Sequence, residues 1–476
     1  MPAACARRFR LPRRCPLAAC LAIVLGALSD AAPARTSSTI VVTSCLDSGP
    51  GSLRTAVASA GSGDTVDLTQ LSCSQITLTS GRIATSAALT LRGPGSAKLT
   101  IDGDRTDRIF EEDAIVPLAL YGMTLTNGSG FLEGGCIYSA GSLELHDVTV
   151  ASCRVIGEAG ALRYEGGGAF VQGDLFAESS AIVGNEVYSA LGLAFGGGVS
   201  VHGNLVLSAS TLSSNIAHIG LPVGSGVAGG GAFVLNACAA DYSTISDNVA
   251  EGPQLRTEGV VTGIVGGRGG GALCGAGVEI SYSTVSANMA DYFGGLAIYG
   301  NSTISPFIID STISGNAATV TIGGVLASTP LTIASSTIAF NTEARSRGAG
   351  LYEIRYPVDL ESTIIANNGG GTAPVDVGAG GVDGFTGANN LIMSSGGVAV
   401  PSDTIHADPH LLPLTDNGGL TRTHALPAGS VAIDAGNDVE GLPFDQRRAP
   451  FARTVGAPDI GAFEYSSDLI FANGFQ

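Results

Sequence analysis

The sequence predicts an all-β solenoid, a parallel β-helix with three sheets, and three observations lead there. First, one unit recurs between about residue 134 and residue 368: a glycine pair or triplet, a short apolar run, then Ser-Thr-Ile-Ser-x-Asn. Gly229-Gly230-Gly231-Ala232-Phe233-Val234 followed by Ser243-Thr244-Ile245-Ser246-Asp247-Asn248 is an example. Recurrence at a fixed offset marks stacked structural repeats. Second, Val148, Ser180, Ser210, Ser243, Ser283, Ser311, Ser336 and Ser362 serve as origins of eight units. The last glycine stands twelve residues earlier in six of them, and an Asn five residues later in seven. The glycine-to-Asn half is therefore fixed in length and reads as stacked strands, whereas the variable Asn-to-glycine half reads as loops. Third, apolar residues alternate within the fixed half, as in Leu205 and Leu207 or Val278 and Ile280. Alternation means strands with one buried face. Abundant glycine and β-branched residues, without a 3.6-residue pattern, exclude a helical solenoid.

Residues 1–34 read as a secretory signal. Arg7, Arg8, Arg10, Arg13 and Arg14 precede an apolar stretch from Leu17 to Leu28, and Ala32-Pro33-Ala34 forms a small-residue cleavage site. Leu17-Ala18-Ala19-Cys20 mimics a lipoprotein box, but the apolar region follows that Cys instead of preceding it. Beyond residue 34 no stretch reaches the ~18 consecutive apolar residues of a membrane span. The chain has 41 acids against 23 bases; setting aside the five arginines and Asp30 of residues 1–34 leaves 40 against 18. So acidic a surface argues against nucleic acid or anionic lipid as a partner and suits an exported protein.

Residues 35–75 are expected to form an N-terminal cap, because a β-helix exposes unpaired strand edges at each end. Ser52 is placed to cap a short helix running through Ala58, with Leu53, Ala56 and Val57 on one face as a plug for the core. Cys45 and Cys73 both lie in this segment, where little core is available, and are the expected disulfide. Cys136, Cys153, Cys238 and Cys274 have no assignable pairing; for Cys238 and Cys274 the roles of small core residues and of a bridge both fit. No metal-site spacing appears, and neither metal nor cofactor is expected.

Residues 76–388 are the expected solenoid, with irregular first coils from Leu89 to Leu125. Three corners follow from the repeat. Alternation slips by one residue before Leu212 or Val285, which would invert the buried face unless the chain bends there. The glycines supply positive φ or a close approach that leaves no room for Cβ. The Asn tolerates the left-handed conformation and can bond its amide to the Asn one coil away. The expected ladder is Asn185, Asn215, Asn248, Asn288, Asn316, Asn341 and Asn367, with Asn127 opening it and coils ~4.8 Å apart. The second residue after the glycine corner is Tyr138, Phe170, Ser200, Phe233, Leu273, Leu326 or Tyr352, between inward apolar positions. Tyr138, Phe170, Phe233 and Tyr352 are thus the candidate ligand-binding residues, since aromatics on an exposed sheet stack on sugars or mate with a partner protein. The competing reading folds the Asn-to-glycine segments over them as a satellite core.

The pairing of Gly-Gly-Ala-Phe with Thr-Ile-x-x-Asn resembles the repeats of bacterial polymorphic outer-membrane proteins, and more broadly the right-handed parallel β-helix proteins of the pectate-lyase type. Ser52-Leu53-Arg54-Thr55-Ala56-Val57 resembles the Ser-Leu-Arg-x-Ala-Ile caps of exported β-helix proteins. Residues 389–465 contain Asp408-Pro409-His410-Leu411, Asp416-Asn417-Gly418-Gly419-Leu420-Thr421, Ala432-Ile433-Asp434-Ala435-Gly436, Asp445-Gln446-Arg447-Arg448 and Pro458-Asp459-Ile460-Gly461-Ala462-Phe463-Glu464. They resemble the choice-of-anchor Q domain, which commonly follows β-helix repeats in bacterial surface proteins. The resemblance implies a right-handed solenoid, a C-terminal capping domain and a following anchor. Residues 466–476 are too short for an autotransporter barrel or a membrane helix; a sorting signal and a last strand of the cap both fit.

These resemblances imply a secreted protein or one on the outer cell surface of a bacterium, structural or adhesive, with a polysaccharide or surface protein as its partner. The alternative is a polysaccharide lyase or glycoside hydrolase of the same fold. Lyases of this fold resemble one another in clustered acids that hold calcium beside an Arg or Lys base, and hydrolases use grouped carboxylates. Here Asp147, Asp241, Asp310 and Glu361 stand on non-adjacent coils, and His146, His202 and His218 are scattered. His406, His410 and His424, with Asp408 and Asp416, fall in turn-forming stretches. Loops after Asn185, Asn215 and Asn248 are long enough to bring in Glu186, Arg256, Glu258 or Arg268. No residue is named as catalytic.

Overall fold

A computed structural model of the chain describes residues 36–158, 163–220, 226–257, 260–264, 266–300, 305–370, 374–381 and 384–467, with backbone only for 254–257 and 260–264. The expected signal, Glu258, the Arg256 side chain and residues 468–476 of the tail lie outside the described residues. Among these residues three parallel sheets carry 23, 11 and 12 strands. One coil shows how they are built. Ala169–Val171 lies in the second sheet, Leu175–Glu178 and Ala181–Val183 in the first, and Glu186–Ser189 and Leu193–Phe195 in the third. The next coil repeats each pairing, with Leu175 beside Leu205, Ile182 beside Leu212 and Val187 beside Ala217. The inward side chains of the first two sheets meet in one continuous core running from Val42 to Ile392. No helix among the described residues is long and apolar enough to cross a membrane.

Left-handed residues make the corners. The slip in alternation is a single residue of positive φ before each origin, 49° at Ser179, 46° at Ala209 and 50° at Tyr242. At the glycine corner Gly166, Gly196 and Gly229 each have a φ of 66°. A Cβ on the following glycine would collide with the next coil, as Gly167 would with the carbonyl of Gly197.

The Asn corner departs from expectation in two ways. The left-handed residue is the one before the Asn, Gly184, Ser214, Asp247 or Ala287, while the ladder Asn is buried. Asn215 Oδ1 accepts from both the backbone N–H and Nδ2 of Asn185, each at 3.0 Å, and Asn185 Nδ2 also donates to Val150 O. This pattern continues through Asn248, Asn288, Asn316 and Asn341 but ends on Asn368, not Asn367. One extra residue between Leu351–Glu353 and Val358–Glu361 shifts the last unit, so that Thr363 instead of Ser362 aligns with Ser336. Asn367 then takes the left-handed place, with φ 58°. Asn127 does the same and bonds to Asp102 rather than opening the ladder.

The Asn-to-glycine half, expected as loops, is the third sheet. One strand leaves the Asn corner and another returns to the glycine corner, and between them lies a second core that includes Val155, Tyr164, Val187, Ala194, Ala217 and Val227. Coils with a long interval therefore carry a wing. After Asn288 the interval is short, and Met289–Tyr292 runs straight into the corner.

Helix α1 (Leu53–Ser59) is capped by Ser52, whose Oγ accepts from Thr55 N, and it buries Leu53, Ala56 and Val57 at the N-terminal end of the core. Cys45 and Cys73 are bridged beside it. Cys136 pairs with Cys153 and Cys238 with Cys274. At the other end Val398 and Val400 pack on the core. Residues 405–465 then turn back as an arm along the flank of the first sheet, around a third core that includes Ile364, Leu391, Leu426, Ala432, Ile460 and Phe463.

Candidate functional site

Side chains of the wing lie against the outward face of the second sheet. That face carries the position two residues past the glycine corner, where Glu111, Tyr138, Phe170, Ser200, Phe233, Leu273, Ala297, Leu326 and Tyr352 stand in register. The aromatic candidates are not equally available. Tyr138, Phe233 and Tyr352 are half-buried, whereas Phe170 is 1% exposed and has no face to offer a ligand. Coil spacing is the cause, because rings at one register on adjacent coils are held face to face. Tyr138 stacks on Phe170 at 5.5 Å, and the Arg108 guanidinium lies over Tyr138. Phe195 of the wing stacks on Phe233 at 4.7 Å, with Arg163 over both rings. Surfaces that would stack on a sugar are taken up within the protein.

Over Phe170 sits a charged cluster whose members the sequence scatters. Glu165, 2% exposed, pairs with Arg163, accepts from Ser200 Oγ at 2.6 Å and lies 3.4 Å from His202 Nε2. The His202 ring meets Phe170 edge-on at 4.9 Å. Glu133, one coil away, bridges to Glu165 through the backbone. Burial first, then the charge of Glu165, pushes the Glu133 carboxyl above its ordinary pKa, against the pull of Arg108, His202 and Arg163. Burial, then Glu133, raises the Tyr138 hydroxyl likewise. A carboxyl that keeps its proton to higher pH, beside a second carboxylate and an imidazole, is equipped for proton transfer. Glu165 is sealed and fully engaged, so it holds Arg163 and His202 in place. The sequence did carry a signal for this pairing: Glu133-Gly134-Gly135 and Glu165-Gly166-Gly167 put an acid before the glycines of successive units.

A second feature lies on the open face of the first sheet. Arg92, Tyr121, His146 and Glu178 occupy one register in consecutive coils. Arg92 lies 4.4 Å over Tyr121, Tyr121 stacks on His146 at 4.4 Å with the planes 3° apart, and His146 Nδ1 is 2.9 Å from Glu178. Phe176 approaches His146 at 5.5 Å. Tyr121, His146 and Glu178, together with Gly93 and Asp147, border a depression of about 380 Å³.

The other candidates stay apart. His218 pairs with Glu186 on the wing, and Arg268 lies in the wing strand Gly267–Arg268. Asp147 holds Ser96, Asp310 pairs with Arg453, and Asp241 accepts from Ser281. His406 is bonded to Ile392 O, His424 to Leu412 O, and exposed His410 is near Asp408, so the arm histidines do not converge. Among the described residues no three His, Cys, Asp or Glu side chains come together as metal ligands.

Comparison with protein-family models finds no match, and comparison with curated proteins finds none. Among solved structures, the crystal structure of pectate lyase Pel9A aligns over 91% of this chain and 97% of that chain, at 13% identity and a TM-score of 0.43. The parallel β-helix assignment rests on the strand pairings themselves.

Proposed function

We propose that this chain is an exported β-helix protein of the structural or adhesive kind, carried on the outer surface of a bacterium, that binds a polysaccharide or protein partner along its flank. The observation that carries this reading is the uncovered face from Arg92 to Glu178, where a phenol, an imidazole and a carboxylate border one depression and the Arg92 guanidinium lies over the phenol ring. Because the rings are stacked on one another, they present edges, and the surface offers hydrogen bonds rather than a stacking platform. That chemistry suits a hydroxyl-rich ligand. The signal at residues 1–34, and the likeness of residues 134–368 to polymorphic outer-membrane-protein repeats and of 389–465 to a choice-of-anchor Q domain, support export and surface display. Incubation of the mature protein with insoluble polysaccharides and intact cells is expected to show saturable retention, weakened about tenfold by Tyr121→Ala with His146→Ala. Retention on none of them would end this reading.

A second reading, a polysaccharide-cleaving enzyme, draws on the Glu133, Glu165, Arg163 and His202 cluster. Release of reducing ends or of unsaturated products, abolished by Glu133→Gln in a chain that still folds, would favour it over adhesion.

A further inference from the structure

The hydroxyl rows that hold the C-terminal arm continue past the end of the arm. Thr211, Thr244, Thr284, Thr312 and Thr337 stand at one register of the first sheet, and Ser213, Ser246, Ser286 and Ser314 at another. In the later coils the arm occupies them. Thr284 Oγ1 donates to Arg422 O and Thr312 Oγ1 to Gln446 Oε1, both at 2.6 Å; Ser314 Oγ is 2.7 Å from His424 Nε2; Thr337 Oγ1 accepts from Ala462 N. In the earlier coils the hydroxyls of Thr211, Thr244 and Ser246 meet no described protein partner, nor does that of Ser286, which is 8% exposed. These four side chains form one wall of a cleft of about 870 Å³, and residues 411–424 of the arm overhang it as the other wall.

We propose that this cleft binds a neutral oligosaccharide, laid along the solenoid axis across the unoccupied hydroxyl rows. The inference rests on the polysaccharide-binding reading and gives it a second location and a ligand class. None of these four hydroxyls is sealed from solvent, so each is open to a water or to a ligand group. Hydroxyls both donate and accept, and here they recur at every coil, ~4.8 Å apart, which matches a polymer that repeats hydroxyls along its length. The rows already bind a chain in this manner, since the arm is held by the same positions. Leu420, 65% exposed, and Phe340, 38% exposed, supply apolar surface for the CH faces of a sugar. Asp247 and Asp416 face the cleft against Arg422, on a chain of net charge −18, so a polyuronate is repelled. The volume falls within the ~300–1,000 Å³ of small-ligand sites.

Calorimetric titration of the mature chain with cello- and laminari-oligosaccharides, and with oligogalacturonates, tests the proposal. Binding of a neutral glucan and not of the galacturonates is expected. It should weaken about tenfold or more in Thr211→Val with Thr244→Val. It should also weaken in Leu420→Ser, a change at an exposed site that leaves the fold intact. Ile115→Ser, at an exposed residue that borders neither surface, should leave it unchanged. Equal affinity in wild type and cleft variants would overturn the inference, as would a cleft that captures only a polypeptide. If the protein adheres to polysaccharide through Tyr121 and His146 while the cleft variants change nothing, the cleft proposal falls and the broader function stands. Retention on no polysaccharide at all removes the cleft proposal and confines the broader function to a protein partner.

Discussion

Asn368 and Asn367 differ in everything except side chain. Asn368 Oδ1 accepts from Asn341 N and Nδ2, and its own Nδ2 donates to Ile338 O and Asp376 Oδ1, all in the interior. Asn367 supplies a left-handed backbone at the surface of the corner. Asn368→Ala strands several buried polar groups and should cost about 3 kcal/mol in chemical denaturation. Asn367→Ala exchanges one left-handed residue for another and should cost about 1 kcal/mol. Equal losses would mean that the ladder does not end where the structure places it. Cys136 and Cys153 make a related point. In other coils a Cβ on the last glycine of the corner would press on the ladder Asn, as Gly168 would on Asn185. In the first unit the glycine and the Asn are both cysteine, and the two are bonded. The two replacements stood in the sequence at interlocking positions, and only their contact across the coil shows that they belong together.

At the scale of the element, the arm is the piece whose attachment is most exposed to conditions. Arg453 and Asp310 are both fully buried and 3.4 Å apart, and Arg453 also donates to Asp459 O and Gly461 O. Removing one partner of such a pair leaves a charge without compensation, so Arg453→Met should cost about 3–5 kcal/mol. Faster proteolysis within residues 405–465 would report it. The arm and its seat also carry Glu361, Glu440 and Glu464, whose carboxyls are pushed from 4.5 to about 7, by burial first and then by Asp359 and Asp403, by Asp438 and Glu361, and by Asp459 respectively. Between 4.5 and about 7 the folded chain holds protons that the unfolded chain has lost, so stability falls as pH rises through that window and levels off above it. Thermal midpoints should therefore be higher at pH 5 than at pH 8, and Glu440→Gln should flatten the difference. A midpoint that rises from pH 5 to pH 8 would contradict the burial of these groups.

Over the whole molecule, two kinds of staple divide the solenoid. Among the described residues the three disulfides fall at or before Cys274, whereas the hydrogen bonds of the arm hold coils from Tyr282 onward, with Arg448 reaching back over the Tyr242 ring. Stacked repeats lean only on their neighbours, so loosening one stretch need not loosen another. Reduction should raise amide exchange in residues 40–275 and spare 284–392, and Arg453→Met should do the reverse; uniform loosening in both would show one cooperative unit instead. Much of this molecule was legible because in a solenoid each residue's neighbour is its own counterpart one repeat away. Periodicity in the chain is thus already a contact map, from which the glycine corner and the stacking of Asn185 on Asn215 could be read, while Ser52 was legible from local capping chemistry. The wing, the burial of Phe170, the shift to Asn368, the approach of His202 to Glu165, and the seat of the arm were settled only in three dimensions. Each depends on segments of unequal length or on contacts made outside the register of the repeat. Whether such surfaces fit is decided by packing, for which the spacing of residue types has no sign.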